Sequence, residues 1–179
     1  MPVVHLSPSA SRNNKDPADS RLPPSQISLV AMGNALQNLA TLHYTRRLYN
    51  GKFVPNHALP PATDRFNPDD SIHVLKPAST SGKDADKAKD QVTPLGARVF
   101  GTYTFMAGII RFYACYDLSN PLLYKLAIWT HIIAAAHFTS EMFVYKTMKF
   151  SGPQGFPFAA AYGGLCWMLM QYSHYVQGN

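Results

Sequence analysis

Residues 93–145 read TPLGARVFGTYTFMAGIIRFYACYDLSNPLLYKLAIWTHIIAAAHFTSEMFVY. They hold two apolar runs, 97–116 and 122–145. Each is near the ~20 residues a helix needs to cross ~30 Å of hydrocarbon at 1.5 Å per residue. Residues 117–121, Asp-Leu-Ser-Asn-Pro, form a polar turn between the runs, with proline at the first position of the next helix. Inside the runs lie Arg98, Arg111, His131, His137 and Glu141. A charge at the centre of a bilayer costs about 2.5–3.5 kcal/mol even on the mildest scale, so such groups pair or face protein.

Folding the two runs into an antiparallel hairpin places Arg98 level with Glu141, Gly101 level with His137 and Gly108 level with Thr130. This predicts an Arg98–Glu141 ion pair near one membrane face. His137 stands one turn from Glu141 on the same helix side. Gly101 and Gly108 would let the two helices approach closely. The alternative is that Arg98 and Glu141 reach the interface separately.

Working outward, a first helix is expected over about 25–49. Asn34, Gln37, Asn38 and Thr41 recur there at helical spacing and form one uncharged polar stripe against aliphatic faces. That pattern favours a span over a helix lying on the membrane surface. Arg111, about four turns into the second span, is matched in depth by Asn34, the expected hydrogen-bond partner; the competing expectation is that Arg111 reaches toward Asp117. The last run, 156–175, carries the small-residue pairs Ala159/Gly163 and Ala160/Gly164, suited to close helix packing. Tyr172 and Tyr175 supply interfacial aromatics.

The fold class expected is therefore all-α. It is a polytopic four-helix transmembrane bundle with spans at about 27–46, 97–116, 122–145 and 156–175. Residues 1–26, rich in Ser, Pro, Asn and Asp, read as a disordered tail. Residues 50–93 hold Pro55, Pro60, Pro61, Pro68 and Pro77 and the charge run 83–90. They read as a flexible, solvent-exposed first loop, with residues 72–75 available to touch the bilayer or a partner.

The chain has 179 residues and a net charge of +6. The basic residues are scattered, with no basic helix or aromatic-interleaved patch, which argues against nucleic acid. They concentrate in the first loop (from Arg46 to Lys89) and the third (Lys146, Lys149). By the positive-inside rule the long loop faces the cytosol and the termini face the lumen. The N-terminal segment lacks the apolar core of a signal peptide. The two cysteines, Cys115 and Cys166, match no metal or disulfide spacing and read as small buried apolar residues.

Catalytic patterns are missing from the sequence. No phosphate-cradling glycine loop, nucleophile elbow or Tyr-x-x-x-Lys pair is present. His131, His137 and His174 are isolated, and His137 with Glu141 supplies two ligands where a metal needs three or four. No catalytic, cofactor-binding or metal residue is assigned, and no cofactor is expected. Two competing readings remain open. One is an acid/base dyad of His137 and Glu141 acting on a lipid; the other is a small transporter using the charges within the spans.

Several segments carry a family resemblance: AMGNALQ at 31–37, RLYNG at 47–51, TPLGARVFG at 93–101, IRFYA at 110–114, Tyr124, Trp129 with Thr130, and HFTSE at 137–141 followed by Tyr145. Together they resemble the ergosterol biosynthetic protein 28 family over about residues 27–175. The resemblance implies a small multi-span protein of the endoplasmic reticulum membrane with no enzymatic activity. It implies a scaffold that tethers the sterol C-4 demethylation enzymes: the C-4 methyl oxidase, the C-3 dehydrogenase/decarboxylase and the 3-keto reductase. Membrane lipids would be its other partners, and a homo-oligomer is compatible with it. The tail and the 50–93 loop are longer than the family leads one to expect. The residues expected to matter for structure or interaction are Arg98, Glu141, His137, Arg111, Asn34, Gly101, Gly108 and Trp129.

Overall fold

The computed structural model describes residues 22–78, 85–150, 152 and 155–177. Five α-helices account for most of them: α1 (Leu22–Ala40), α2 (His43–Leu48), α3 (Pro94–Tyr116), α4 (Pro121–Phe143) and α5 (Gly155–Tyr172), the last continued by a π-turn over Ser173–Gln177. The all-α expectation holds. The expected tail lies outside the described residues over 1–21, and its last residues open α1 instead.

Two helix starts are set by local sequence. Thr93 caps α3 by accepting the Gly96 N–H at 3.0 Å, with Pro94 next in line. Asn120 caps α4 by accepting the N–H groups of Leu122 and Leu123, again followed by a proline. A side-chain oxygen at this position satisfies donors that the first helical turn leaves open, and proline has no such donor to lose.

The first helix differs from expectation. It stops at Ala40, and α2 folds back beside it. The Thr45 hydroxyl donates to Asn38 Oδ1 at 2.7 Å in a buried site, and Asn34 Nδ2 donates to the Tyr44 hydroxyl at 3.2 Å. Asn34 and Asn38 of the polar stripe thus meet α2, while Gln37 and Thr41 are exposed.

Among the described residues, no helix is long and apolar enough to cross a membrane. This corrects the four spans read from the sequence. The 23 residues of α3 and of α4 reach about 34 Å at 1.5 Å each, so length is not what falls short. Arg98, Arg111, Lys125, two histidines, Glu141 and a set of hydroxyls dilute their apolarity.

Packing is α1 on α3, α3 on α4 and α4 on α5. One apolar core joins Leu48 and Met148 to Ala134, Ala135 and Phe138 of α4 and Ala161 of α5. A second joins Ala114 and Leu118 to Tyr124, Ala127, Ile128 and Met168. Gly101 and Gly108 do permit a close approach, but of α1 to α3. A Cβ on Gly101 would sit 3.1 Å from the Ala35 carbonyl oxygen, and one on Gly108 would sit 2.9 Å from Met32 Cγ. The expected role between α3 and α4 is corrected accordingly. Of the α5 pairs, Gly164 makes such a contact, against the His131 ring, while Gly163 has nothing within 4 Å among the described residues. Cys115 is buried as expected, but Cys166 is exposed.

The first loop also departs from the sequence reading. Phe53–Pro55 (β1) pairs antiparallel with Leu75–Pro77 (β2), Val54 opposite Lys76. Phe53 bridges to Lys89, and two 3₁₀ turns cover Pro68–Asp70 and Ala85–Lys87. Phe53 and Val54 are buried. The loop does not fold alone: Gly51 N–H donates to the Thr147 carbonyl at 2.7 Å, and Asn50 Oδ1 accepts the Lys149 N–H at 2.8 Å. Docking onto the segment after α4 supplies what its composition lacks. Ile72, at 82 % exposed, stands clear of this contact.

Candidate functional site

The docked loop closes one end of a groove between α3 and α4. Tyr49 follows α2 immediately, and its hydroxyl lies 2.6 Å from His137 Nε2. The histidine tautomer decides which of the two donates. His137 sits in an aromatic box: its ring stacks on Phe100 at 6.0 Å and meets Tyr49 at 5.9 Å and Tyr103 at 6.4 Å between centroids. One turn on, Glu141 accepts the Thr147 hydroxyl, and its other carboxylate oxygen has no partner among the described residues. Burial raises the Tyr49 phenol well above its ordinary pKa, and the Glu141 carboxylate pushes in the same direction. Tyr49 is therefore neutral throughout the physiological range.

The cavity against this polar end measures about 740 Å³. Leu95, Val99 and Phe100 of α3 and Ile133 of α4 form its walls, and Gln91 and Thr93 its rim. Among the described lining residues there is no lysine or arginine. The arrangement offers an apolar body-binding trough with hydrogen-bonding groups at one end.

Several residues singled out from the sequence are elsewhere. Arg98 is exposed, and among the described residues it makes no ion pair with Glu141. The expected pair is corrected: α3 turns its arginine outward, and Thr147 takes the carboxylate. Arg111 does not meet Asn34. Its Nε donates to Thr130 Oγ1 at 2.8 Å and its Nη2 to the Thr130 carbonyl at 3.1 Å. Asn34 and Arg111 nevertheless line one small cavity of about 80 Å³, with Tyr44 and Tyr103. The Tyr103 hydroxyl is buried there without a hydrogen-bond partner among the described residues. Trp129 is exposed on α4. His137 and Glu141 are the two candidates brought into the groove.

Sequence reasoning missed Tyr49 and Thr147. Tyr49 reaches α4 from 88 positions away, and Thr147 folds back onto Glu141 from just past the end of α4; neither shows a spacing that points there. The only signal was that Tyr49 stands in the RLYNG segment. Among the described residues, no group of three or more His, Cys, Asp or Glu side chains is placed to hold a metal ion.

Comparison with known proteins gives a consistent result. The family described as Erg28 like protein matches residues 25–166. The ergosterol biosynthetic protein 28 of Gibberella zeae is 48 % identical over 153 residues, covering 86 % of this chain and 88 % of that protein. The Candida albicans protein of that name is 36 % identical, covering 59 % of this chain and 77 % of the relative. The human homolog of that protein is 32 % identical, covering 68 % and 61 %. No solved structure matches.

Proposed function

This chain belongs to the Erg28-like family, and from that premise we propose that it serves ergosterol biosynthesis as a non-catalytic membrane scaffold. In this reading it holds the C-4 methyl oxidase, the C-3 dehydrogenase/decarboxylase and the 3-keto reductase of sterol C-4 demethylation together at the endoplasmic reticulum. Enzymes that act in sequence on membrane-dissolved intermediates gain from tethering, because a partner held nearby has a raised effective concentration.

The observation that carries the reading is the inside-out distribution of side chains. Large aliphatic and aromatic side chains stand outward on every long helix, among them Leu36 on α1, Val99 and Met106 on α3, Leu122 and Ile133 on α4, Leu169 and Met170 on α5, beside a few polar ones such as Arg98 and Lys125. The buried positions include Asn38, Thr45, Thr130 and His131. An exposed apolar surface of this extent suits lipid or the helices of membrane-bound partners. The ordered 50–78 segment supplies a polar face for partners at the membrane surface. In this arrangement the basic loops face the cytosol.

Affinity purification of the tagged chain from mild-detergent membranes, followed by mass spectrometry, tests the proposal. Stoichiometric recovery of the three C-4 demethylation enzymes is expected. Their absence, with the protein itself intact, overturns the scaffold reading. Sterol turnover by the purified chain alone, lost in His137→Ala, would replace it with the enzyme reading.

A further inference from the structure

We infer that the groove between α3 and α4 is a binding site for a neutral, largely apolar lipid carrying a single hydroxyl, the chemistry of a sterol alcohol. The choice of sterol class rests on the function proposed above; the site itself rests on geometry.

Three observations converge. Leu95, Val99 and Ile133 are 64 %, 60 % and 50 % exposed, yet all three line one concavity of about 740 Å³, within the range of small-molecule sites. At its inner end stand the Tyr49 hydroxyl, His137 and Glu141, the last with one carboxylate oxygen unpartnered among the described residues. A ligand hydroxyl donates to that oxygen, a charge-assisted hydrogen bond stronger than one between neutral groups. Among the described lining residues there is no lysine or arginine to offset the repulsion between the carboxylate and a phosphate or fatty-acid head. That excludes anionic head groups, and among the donors left the neutral hydroxyl is the one carried by the sterol class of the function proposed above. Phe100 and Tyr103 also line the groove, adding aromatic surface suited to an apolar body. A scaffold with such a site holds an intermediate between the enzymes it tethers.

The test uses the purified full-length chain in detergent and a photoreactive 3-hydroxysterol, with labelled positions mapped by mass spectrometry. Saturable labelling within 95–103 and 133–141 is expected, competed by the unlabelled sterol. The 3-O-methyl ether of the same sterol should compete about tenfold less well, because it cannot donate to Glu141. Val99→Trp and Ile133→Trp, which fill the trough from opposite walls, should each cut labelling at least tenfold. Leu126→Trp, on α4 outside the groove, should not. Labelling spread evenly over all exposed helix faces, equal competition by the methyl ether, or competition by phosphatidylcholine would each overturn the proposal. The two readings fail separately. Saturable labelling without enzyme recovery removes only the scaffold, and enzyme recovery with unsaturable labelling removes only the lipid site.

Discussion

The Tyr49 hydroxyl and His137 Nε2 lie 2.6 Å apart although 88 positions separate them in sequence. This contact locks the chain leaving α2 onto α4. With the Gly51–Thr147 backbone bond, it fixes the first loop against the end of the α3–α4 hairpin. The groove exists because of that docking: its polar end is assembled from three separate stretches of chain.

Tyr49→Phe should keep the ring packing and lose the hydrogen bond. The expected cost is about 1 kcal/mol, a fall of roughly 2–4 °C in Tm for a chain of this size, read by thermal unfolding in detergent. The wild-type phenol is held neutral in the folded state, its pKa raised by burial and then by Glu141. The unfolded phenol ionises near its ordinary value of about 10, so stability is whole below that pH and falls as pH rises above it. That alkaline loss should be shallower in Tyr49→Phe. An identical alkaline slope in the two proteins would show that Tyr49 is not the group responsible.

The buried Thr45–Asn38 bond joins α2 to α1. Thr45→Val leaves the Asn38 oxygen without its donor and should cost about 1–3 kcal/mol. Adding Asn38→Leu removes the stranded group as well, so the double variant should recover part of the loss. Strictly additive losses in denaturant unfolding would argue that the bond does not hold α2 in place.

Two neighbouring glycines on α5 should respond oppositely. A Cβ on Gly164 would collide with the His131 ring, whose Nδ1 would lie 2.7 Å away. Gly164→Ala should therefore cost about 1–3 kcal/mol through overpacking. Gly163 has open space around it, and Gly163→Ala should be neutral or stabilise by up to about 1 kcal/mol through helix propensity. Thermal unfolding of the two variants side by side checks the α4–α5 contact.

Arg98 and Glu141 should behave as strangers. With Arg98 exposed and Glu141 bound to Thr147, the losses in Arg98→Gln and Glu141→Gln should add to within about 0.5 kcal/mol in the double variant. A coupling above that would restore the ion pair expected from residue depth.

Matching residues by depth along a hairpin explains both what was legible and what was not. The method found the hairpin and its turn, because Asn120 and Pro121 act within a few residues of where they stand. It placed Gly108 level with Thr130, one turn from the Arg111–Thr130 contact that forms. It failed for Arg98, because depth says nothing about rotation around the helix axis. A helix residue at the right height can still point away.

The amino-acid sequence by itself determined the α3–α4 hairpin with its turn, the last helix, the polar stripe on α1, the small residues that allow close packing and the family. Each is a property of residues near one another or of their order. Tertiary structure alone decided which helix the glycines admit, where α2 turns back, that the first loop pairs its strands on the end of the hairpin, and that Tyr49 and Thr147 complete a groove with His137 and Glu141. These depend on helix rotation and on contacts between chain segments up to about a hundred residues apart, such as Asn50 with Lys149. Local periodicity carries no record of such contacts, because many remote partners satisfy the same hydrogen-bonding and packing needs and only the assembled bundle selects among them.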